Sequence, residues 1–382
     1  MASFAQHELE RIALAFDIEG EHLGLEAYGN GHINDTFLGL YRHNGHLRKY
    51  IHQRLNHQVF KKPSAVIENI ERVTRHLHDK LRAAGEEDHH RKALTLVPTR
   101  SGDSFHRDQQ GNFWRAYHFI GDTRSHESIE SAGLAREAGL AFGRFQSLLI
   151  DLPPPRLHET IPDFHHTPKR FQAFQEVLSQ DRLNRAARAG SEVQFALEQE
   201  SMTHRLLDLH RQGQVPERVT HNDTKINNLL LDRSTGEGVC VIDLDTVMQG
   251  LALYDFGDLV RTATSPTPED ERGLSKIKMQ MPLFQALASG YLEGTREFLT
   301  ATERGLLAFS GRLITFEIGL RFLTDYLEGD VYFKIHREAQ NLDRCRSQFE
   351  LVRSIAAQEE EMDLLVESLA CDIRTSAARH KF

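Results

Sequence analysis

The residues best suited to chemistry lie close together in the stretch VTHNDTKINNLLLD, residues 219–232. His221, Asp223 and Asn228 follow the spacing H-x-D-x-x-x-x-N, which is found in the catalytic loop of kinases. A carboxylate at Asp223 could accept the proton of a hydroxyl group, and the amide oxygen of Asn228 is a ligand type that Mg²⁺ prefers. The ammonium of Lys225 could stabilise charge on a transferred phosphate. These residue types and spacings indicate phosphoryl transfer.

A second acid, Asp243, ends the segment VCVID, 20 residues (243 − 223) after Asp223. The segments LLLD and VCVID, joined by RSTGEG, predict a tight β-hairpin. Because the second strand of a hairpin returns to the start of the first, we expect Asp223, Asn228 and Asp243 to converge at its open edge. Asn228 and Asp243 would then be the ligands of a magnesium ion. The alternative interpretation is an Asx-rich turn that caps a strand.

A further acidic motif, Asp255-Phe256-Gly257, has the letters of the metal-binding triplet of protein kinases. It lies 32 residues (255 − 223) after Asp223 and outside the predicted hairpin, so we interpret this match as a coincidence. We predict instead that Asp255 or Asp258 accepts backbone N–H bonds and braces the catalytic loop.

The elements that must position these residues change in character along the chain. The segments LGLEAY (23–28), TFLGLYR (36–42) and LRKYIHQRL (47–55) predict a three-stranded meander with an Asn-Gly turn before the third strand. A helix is predicted from Ser64, and ALTLVP and NFWRAYHFI predict two more strands. After Gly121 the apolar spacing is helical, with an apolar stripe over 134–149, helices at about 168–188 and 191–211, and more helices over about 273–374. The expected fold class is α+β.

The predicted N-terminal sheet offers candidates for binding a nucleotide. The loop GNGHIND (29–35), with Gly29 and Gly31, could cover phosphates, although an ordinary hairpin loop reads the same. His32 could face a substrate or water. On the third strand either Gln53 or Arg54 would face the phosphates, depending on a one-residue register. A partner for that side chain could lie on the next helix, at Glu68 or Glu71, unless these glutamates are solvated.

Composition narrows the class of protein further. The chain has 382 residues, 26% of them charged, and a formal net charge of −9, which argues weakly against nucleic acid as a partner. No apolar run approaches the length of a membrane span, and the start carries Glu8 and Glu10 where an export signal would be apolar. Three widely spaced cysteines indicate neither disulfides nor a thiolate metal site, and we expect a cytoplasmic protein. The histidine pairs at 89–90 and 165–166 are interpreted as solvated, because adjacent side chains on a helix or strand point apart.

With these residues in hand, the chain resembles the aminoglycoside phosphotransferase superfamily, the small-molecule branch of the protein-kinase-like fold. The resemblance rests on the 221–228 loop, on I-D-x-D at 242–245 and on Tyr254-Asp255. Within the superfamily, longer strings are most similar to N-acetylhexosamine 1-kinases: YGNGHINDTF (28–37), HQRLNHQVF (52–60), IPDFHHTPKRF (161–171), HNDTKINN (221–228), CVIDLDTVMQG (240–250), DFGDLVR (255–261) and RFLTDYLEGDVYFK (321–334).

The resemblance implies a two-lobed protein with ATP and Mg²⁺ between the lobes. An N-lobe over 1–118 would cover the nucleotide, and a helical C-lobe over 119–382 would hold the catalytic loop and metal-binding hairpin (219–245) and the sugar-binding helices. A hinge near 117–120, including Phe119, would contact adenine through backbone groups. The reaction would be phosphorylation of the anomeric hydroxyl of an N-acetylhexosamine. Asp223 would be the base, with Lys225 and His221 also catalytic. The expected substrate-binding residues are His32, Asp223, Arg321, Asp325 and Tyr332.

Several alternatives remain open at this level. Arg321 could instead pair with Asp325, four residues later on the same helix. Without a clear lysine on the third strand, the choice between ATP and GTP is open. The acceptor could be an aminoglycoside, an amino alcohol or homoserine, or the chain could be a regulatory pseudokinase. A protein kinase is disfavoured because the segment from Asp243 to Asp255 is too short for a long activation loop. The expected partners are a sugar and a nucleotide, without nucleic acid or membrane, in a monomer or homodimer.

Overall fold

The N-terminal part of the chain folds around an antiparallel sheet in a computed structural model that describes residues 5–29 and 33–379. The sheet order is β1-β2-β3-β6-β4, and β5 also pairs with β6. The strands are β1 (Glu21–Ala27), β2 (Asp35–His43), β3 (His46–Arg54), β4 (Leu96–Val97), β5 (His106–Arg107) and β6 (Phe113–His118). The predicted meander and its turn are confirmed: Asn44 and Gly45 have φ of 50° and 79°, the left-handed values that a tight hairpin turn requires. The strand predicted over ALTLVP is only two residues long, and β5 was not expected.

Three helices accompany this sheet: α1 (Gln6–Ala15), α2 (Pro63–Ala83) and α3 (His89–Lys92). The helix predicted from Ser64 is confirmed as α2, which begins at Pro63, where a missing N–H costs nothing. Helix α1 was not predicted. It buries Leu9 and Ile12 in a small core with Phe37, Tyr41 and Trp114 of the sheet.

The rest of the chain is mainly helical, as expected. Its helices are α4 (Ala132–Leu148), α5 (Thr167–Gln180), α6 (Gly190–Glu198), α7 (Arg205–Arg211), α8 (Ala252–Ala263), α9 (Met281–Thr295), α10 (Ala301–Arg304), α11 (Leu307–Glu328), α12 (Gln340–Ala356) and α13 (Glu359–Arg379). The helix expected over 168–188 ends at Gln180, because Asp181 adopts a φ of 29°. The stretch expected over 191–211 is divided into α6 and α7 by a 3₁₀ turn at Glu200–His204.

Five short strands bring distant parts of this region together. They are β7 (Thr123–Arg124), β8 (Arg218–Thr220), β9 (Leu229–Asp232), β10 (Gly238–Val241) and β11 (Met248–Gly250). Strands β9 and β10 form the predicted hairpin, with β7 on the outer side of β9, and β11 pairs with β8. The catalytic-loop segment therefore lies between the two small sheets.

Helices α4 and α9 cross closely enough that only glycine fits at the crossing. A Cβ on Gly290 would lie 2.0 Å from Arg136 O, and one on Gly139 would lie 2.2 Å from Leu287 O. This crossing fixes Gln146 of α4 beside Tyr291 of α9, whose hydroxyl donates to Gln146 Oε1 at 2.7 Å. Within the described ranges, no helix combines the length and the apolar character needed to cross a membrane.

Candidate active site

The hairpin brings the second acid back to the catalytic loop. Val241 of β10 pairs with Leu229 of β9, and the Ile242 N–H donates to Asn228 O at 2.9 Å. The next residue, Asp243, turns the chain sharply with a φ of 61°, and a 3₁₀ turn follows at Leu244–Thr246. Left-handed conformations of non-glycine residues are strained and are often found at functional sites. Asp243 therefore stands directly beside Asn228, as the hairpin predicted.

Asp223 is held from both sides by neighbours in its own loop. Asn228 Nδ2 donates to Asp223 O at 2.9 Å and to Asp223 Oδ2 at 3.2 Å. Lys225 Nζ lies 3.1 Å from Asp223 Oδ1. The side chain of Asp223 keeps 26% of its surface exposed, so a substrate can reach the carboxylate. The acid, the amide and the ammonium singled out from the sequence are thus in direct contact.

His221 connects the loop to the hairpin instead of facing a substrate. Its Nε2 lies 2.9 Å from Ile242 O, an acceptor only, so Nε2 carries the hydrogen. Its Nδ1 accepts from the Asp223 N–H at 3.3 Å. The ring is fully buried and packs edge-on against Phe142 and Phe145. With both nitrogens engaged, His221 positions Asp223, and its expected catalytic role is wrong.

The pKa values of Asp223 and Asp243 are shifted in opposite directions. Burial would raise the pKa of Asp223, but the ammonium of Lys225 holds that pKa below its usual range. Withdrawal from bulk water, and then the charges of Asp245 and Asp223, raise the pKa of Asp243 to about 7. At neutral pH, Asp223 is therefore a carboxylate able to accept a hydroxyl proton, while Asp243 is poorly compensated.

The donor set at the hairpin edge fits a magnesium ion. The Asn228 amide nitrogen is committed to Asp223, which leaves its carbonyl oxygen as the atom available to a cation. Asp243 adds a carboxylate that lies deep in the cleft, where protein atoms surround it on most sides, yet remains open to solvent and is repelled by Asp245 and Asp223. Hard oxygen ligands and uncompensated negative charge are what Mg²⁺ requires.

Asp255 is one of the two residues predicted to brace the catalytic loop, and it does so. Its carboxylate accepts from the N–H of His221 at 2.9 Å and of Asn222 at 2.7 Å. Gln146 Nε2 also donates to it at 2.6 Å, so the α4–α9 crossing is linked to the loop. Asp255 is fully buried and engaged, which removes it as a metal ligand. Asp258 does not brace the loop; it pairs with Arg261 at 2.8 Å.

The buried cation of the sheet is Arg115 on β6, a residue that sequence reasoning missed. Arg115 Nη1 lies 2.5 Å from Asp245 Oδ1, and both side chains are almost wholly buried. Arg115 Nη2 also donates to Gln53 Oε1 at 2.9 Å. Although burial opposes it, Asp245 keeps the pKa of Arg115 above its ordinary value. An arginine in the otherwise apolar strand NFWRAYHFI was the signal that could have indicated it.

The register of β3 decides between Gln53 and Arg54. Gln53 lies opposite Arg115 in the sheet, while Arg54 lies opposite Asp35 on β2. The Arg54 guanidinium forms an ion pair with Asp35 and donates to it from Nε at 3.0 Å. Gln53 is therefore the residue linked to the cation beside the catalytic hairpin.

The two glutamates of α2 that were expected to pair with a side chain of β3 have other partners. Glu68 contacts His158, with 2.9 Å between Oε2 and Nε2. Glu71 accepts from Ser104 Oγ at 2.8 Å and pairs with Arg75. Glu68 and Glu71 therefore have partners outside β3, and the side chain of Glu68 is largely exposed, as the alternative of solvated glutamates expected.

Four candidates in the N-terminal part remain, of which the structure describes Gly29 and Phe119. Gly29 has a φ of 74°, which favours glycine, at the end of the first strand. Gly31 and His32 lie outside the described residues. The Phe119 ring lies 6.1 Å from that of Tyr28, and its N–H donates to Lys49 O at 3.3 Å. Because this N–H is engaged in the sheet, an adenine at the hinge would have to use other backbone groups.

On the helical side of the cleft, Arg321 lies among aromatic rings. Its guanidinium carbon is 5.3, 5.8 and 5.6 Å from the ring centroids of Phe164, Tyr332 and Phe333. Asp325 does not pair with it. The Asp325 carboxylate instead accepts the N–H groups of Val331 at 2.9 Å, Tyr332 at 2.7 Å and Phe333 at 3.0 Å. Asp325 thus shapes the turn that carries Tyr332, and its expected contact with substrate is wrong.

A buried pair connects this region to the catalytic loop. His165 Nδ1 lies 2.8 Å from Glu317 Oε1, and its Nε2 lies 3.0 Å from Asn222 O. Glu317 also accepts from Thr167 Oγ1 at 2.6 Å. The interpretation of His165 as solvated is wrong, because the folded chain gives both nitrogens buried partners. Arg321 lies one turn after Glu317 on α11, and Glu317 is linked through His165 to Asn222, the residue before Asp223. The aromatic rings around Arg321 therefore lie near the catalytic loop.

Comparison with known proteins agrees with this fold. A protein-family model described as the phosphotransferase enzyme family matches residues 24–296, more than half of the chain. The fold and this match together define a phosphotransferase with a kinase-like fold. The chain belongs to the phosphotransferase enzyme family.

Solved structures with the same fold have low sequence identity. A microcompartment-associated aminopropanol kinase is 18% identical, with a TM-score of 0.63, and the match covers 93% of this chain and 98% of that one. A spectinomycin phosphotransferase in complex with ADP and spectinomycin is 13% identical, with a TM-score of 0.56, covering 94% and 99%. An ethanolamine kinase from Plasmodium vivax is 15% identical, with a TM-score of 0.52, covering 85% and 82%.

Proposed function

We propose that this protein transfers the γ-phosphoryl group of ATP to the anomeric hydroxyl of an N-acetylhexosamine and so forms a sugar 1-phosphate. The strings that resemble N-acetylhexosamine 1-kinases extend over both parts of the chain. In this proposal residues 1–118 cover the nucleotide, and residues 119–382 carry the catalytic loop, the metal-binding hairpin and the sugar site. The observation that carries the choice of acceptor is the cationic, aromatic surface around Arg321.

The acceptor surface favours a neutral hydroxyl compound over a cationic one. Arg170 and Arg321 are near enough that Arg321, after burial, contributes to lowering the pKa of Arg170. The nearby carboxylates are already committed, Asp325 to three backbone N–H groups and Glu317 to His165 and Thr167. A protonated amino alcohol or aminoglycoside would meet two arginines at this surface, where Asp325 and Glu317 are not free to pair with its ammonium groups. Aromatic rings beside a guanidinium can instead stack on a sugar and donate to its hydroxyls.

The proposed reaction assigns one role to each residue of the loop. Asp223 accepts the proton of the C1 hydroxyl as its oxygen attacks the γ-phosphorus. The bond between that phosphorus and the β,γ-bridging oxygen breaks, and ADP leaves with the bond electrons. Lys225 stabilises the charge that develops on the transferred group. Asn228 and Asp243 would hold Mg²⁺, which when bound neutralises charge on the nucleotide phosphates.

The test is a comparison of acceptors with the full-length chain, ATP and Mg²⁺. N-acetylglucosamine, N-acetylgalactosamine, ethanolamine, aminopropanol, homoserine and spectinomycin are offered separately, and ADP release is measured. We expect release only with the acetylated hexosamines, and a phosphorus NMR signal coupled to the anomeric proton. Release with an amine acceptor, or a phosphate at C6, would contradict the proposal. Nucleotide binding without ADP release for any acceptor would instead indicate a regulatory pseudokinase.

A matched pair of variants tests the acceptor surface. Arg321→Met should raise KM for the sugar by about tenfold or more, because a charge-assisted hydrogen bond contributes about 1.5–3 kcal/mol. Arg312→Met removes an arginine from the same helix, but one that pairs with Glu359 at 2.9 Å, and should leave KM for the sugar unchanged. Equal effects of the two substitutions would remove Arg321 from the proposed site.

A further inference from the structure

Three histidines converge between α2 and α3, none of them among the residues assigned to the catalytic loop. Nitrogen atoms of His78, His89 and His90 all lie within 4.8 Å of one another. His78 Nδ1 is 3.1 Å from His89 Nδ1, and the ring centroids of His89 and His90 are 3.9 Å apart. Adjacent histidines were expected to point apart. On the single turn of α3, however, both rings turn towards α2.

The contacts of His78 leave one nitrogen suited to a metal ion. His78 Nε2 lies 3.1 Å from Leu94 O and 3.1 Å from Thr95 Oγ1. A carbonyl oxygen can only accept, so Nε2 carries the hydrogen and Nδ1 carries a lone pair. A ring that donates its other N–H to a backbone carbonyl is the usual arrangement of a metal-binding histidine. The nitrogen directed at His89 is therefore the one that could bind a cation.

The spacing of the nitrogens also suits tetrahedral coordination. Zinc–nitrogen bonds of 2.0–2.1 Å at tetrahedral angles separate the ligand atoms by roughly 3.3 Å. The 3.1 Å between His78 and His89 is already close to this separation. The third nitrogen is within 4.8 Å, a difference that a rotation of the exposed His90 side chain can remove. Three imidazoles leave the fourth position to a water molecule.

The geometry of the cluster fits neutral imidazole, the form that coordinates a metal ion. His78 Nδ1 and His89 Nδ1 lie 3.1 Å apart, so at least one of these two nitrogens carries a lone pair instead of a hydrogen. The nearby Arg82 opposes a cation, but its guanidinium is paired with Asp79.

We propose that His78, His89 and His90 together bind one divalent transition-metal ion of the zinc class. The ion would connect the end of α2 to α3. Helix α3 is in turn attached to the helical part of the chain, because Arg91 donates to Asp122 O at 3.1 Å and pairs with Asp232 at 2.8 Å. Binding would therefore stabilise the contact between the N-terminal sheet and the rest of the molecule.

Equilibrium dialysis of the chelator-treated full-length protein against zinc, with excess Mg²⁺ present, tests this proposal. We expect one zinc ion per chain and a rise in Tm of a few degrees at zinc concentrations of about 100 times Kd. His89→Gln and His90→Gln should each weaken binding by about tenfold or more. His204→Gln removes an exposed histidine from another surface and should change neither quantity.

Cobalt(II) provides a second readout that does not depend on protein stability. Bound at three histidines it should give the intense visible absorption of a four-coordinate nitrogen site, and this absorption should disappear in His90→Gln. Zinc binding of unchanged stoichiometry and affinity in the His89→Gln/His90→Gln double variant would overturn the proposal. It would identify any bound zinc as adventitious surface binding. No nucleotide or acceptor is needed, so this outcome is independent of the proposed kinase activity.

Discussion

Two regions meet at Asp245: the catalytic loop with its hairpin, and the N-terminal sheet. The loop is fixed by several buried hydrogen bonds from different elements. Asp255 accepts two of its backbone N–H groups, His221 bonds Ile242 O, and Thr246 Oγ1 donates to His221 O at 2.7 Å. The N-terminal part contacts this side of the cleft at a few separate points: Asn69 of α2 donates to Val247 O at 3.2 Å, Arg91 of α3 pairs with Asp232, and the sheet itself reaches Asp245. Asp245 pairs with Arg115 at 2.5 Å and accepts from Asn34 Nδ2 at 2.7 Å.

Because the catalytic loop and the sheet are held in place differently, we expect them to have different roles. A loop braced by several elements keeps Asp223 in one position, and such preorganisation is the main contribution of a protein to phosphoryl transfer. Arg115 and Asp245 lie between the sheet and the hairpin, so a movement of the sheet relative to the loop has to break this buried ion pair or carry it along. We therefore expect nucleotide entry and release to depend on the Arg115–Asp245 contact, and the chemical step to depend on the loop.

The largest expected effect is on the chemical step. Asp223→Asn keeps an oxygen near Asn228 but removes the proton acceptor, so kcat should fall by about 10²–10⁴. Nucleotide affinity, measured by calorimetry, and Tm should stay close to those of the parent protein, because the bracing bonds of Asp255 are unaffected. A variant that retains the parent kcat would exclude Asp223 as the base.

The next effect concerns the attachment of the sheet. Arg115→Met leaves Asp245 buried without its cation, and should lower the free energy of unfolding by about 3–5 kcal/mol. It should also raise KM for the nucleotide. Arg54→Met is the matched control on the neighbouring strand, and it should cost less because its pair with Asp35 is partly exposed. The two variants are compared by urea unfolding and by KM for the nucleotide. A larger effect of Arg54→Met on both would restore Arg54 as the phosphate-side cation.

A smaller effect is expected from the protonation of Asp243. A carboxylate must lose its proton to hold Mg²⁺, and the pKa of Asp243 is raised to about 7. Lowering the pH from 7 to 6 should reduce the ionised fraction, and with it the apparent Mg²⁺ affinity, roughly fivefold. Calorimetric Mg²⁺ titrations at several pH values measure this, with Asp243→Asn as the variant that lacks both the affinity and its pH dependence. Equal Mg²⁺ affinity at pH 6 and pH 7.5 would contradict the role of Asp243.

The sequence predicts the loop better than the sheet for a physical reason. Asp223, Lys225 and Asn228 lie within six residues, and a tight hairpin returns Asp243 to them, so local geometry determines their contacts. The pairing of Arg115 with Gln53 depends on the register of two strands that are 62 positions apart in the chain. No local pattern determines such a register.

Side-chain direction was a second source of error. Asp325 has the helical spacing to pair with Arg321, but the chain turns after Gly329 and presents three N–H groups to its carboxylate. His165 was interpreted as solvated because it adjoins another histidine, and the local sequence does not reveal its partner Glu317, which is 152 residues away. In both positions, a distant or subsequent segment provides the stronger partner, and the sequence does not show where that segment lies.

The smallest effect is expected at Glu68 on α2, and it tests the contrast between the catalytic loop and the sheet. Glu68→Gln should change KM for the nucleotide by less than about twofold, because its carboxylate is exposed and pairs with His158, and such surface pairs contribute about 0–1 kcal/mol. Gln53→Leu, by comparison, removes an acceptor from the buried Arg115 guanidinium and should raise KM and lower Tm. Steady-state kinetics of the two variants provide the measurement. A tenfold rise in KM for Glu68→Gln would mean that α2 rotates to bring this glutamate into the cleft when nucleotide binds.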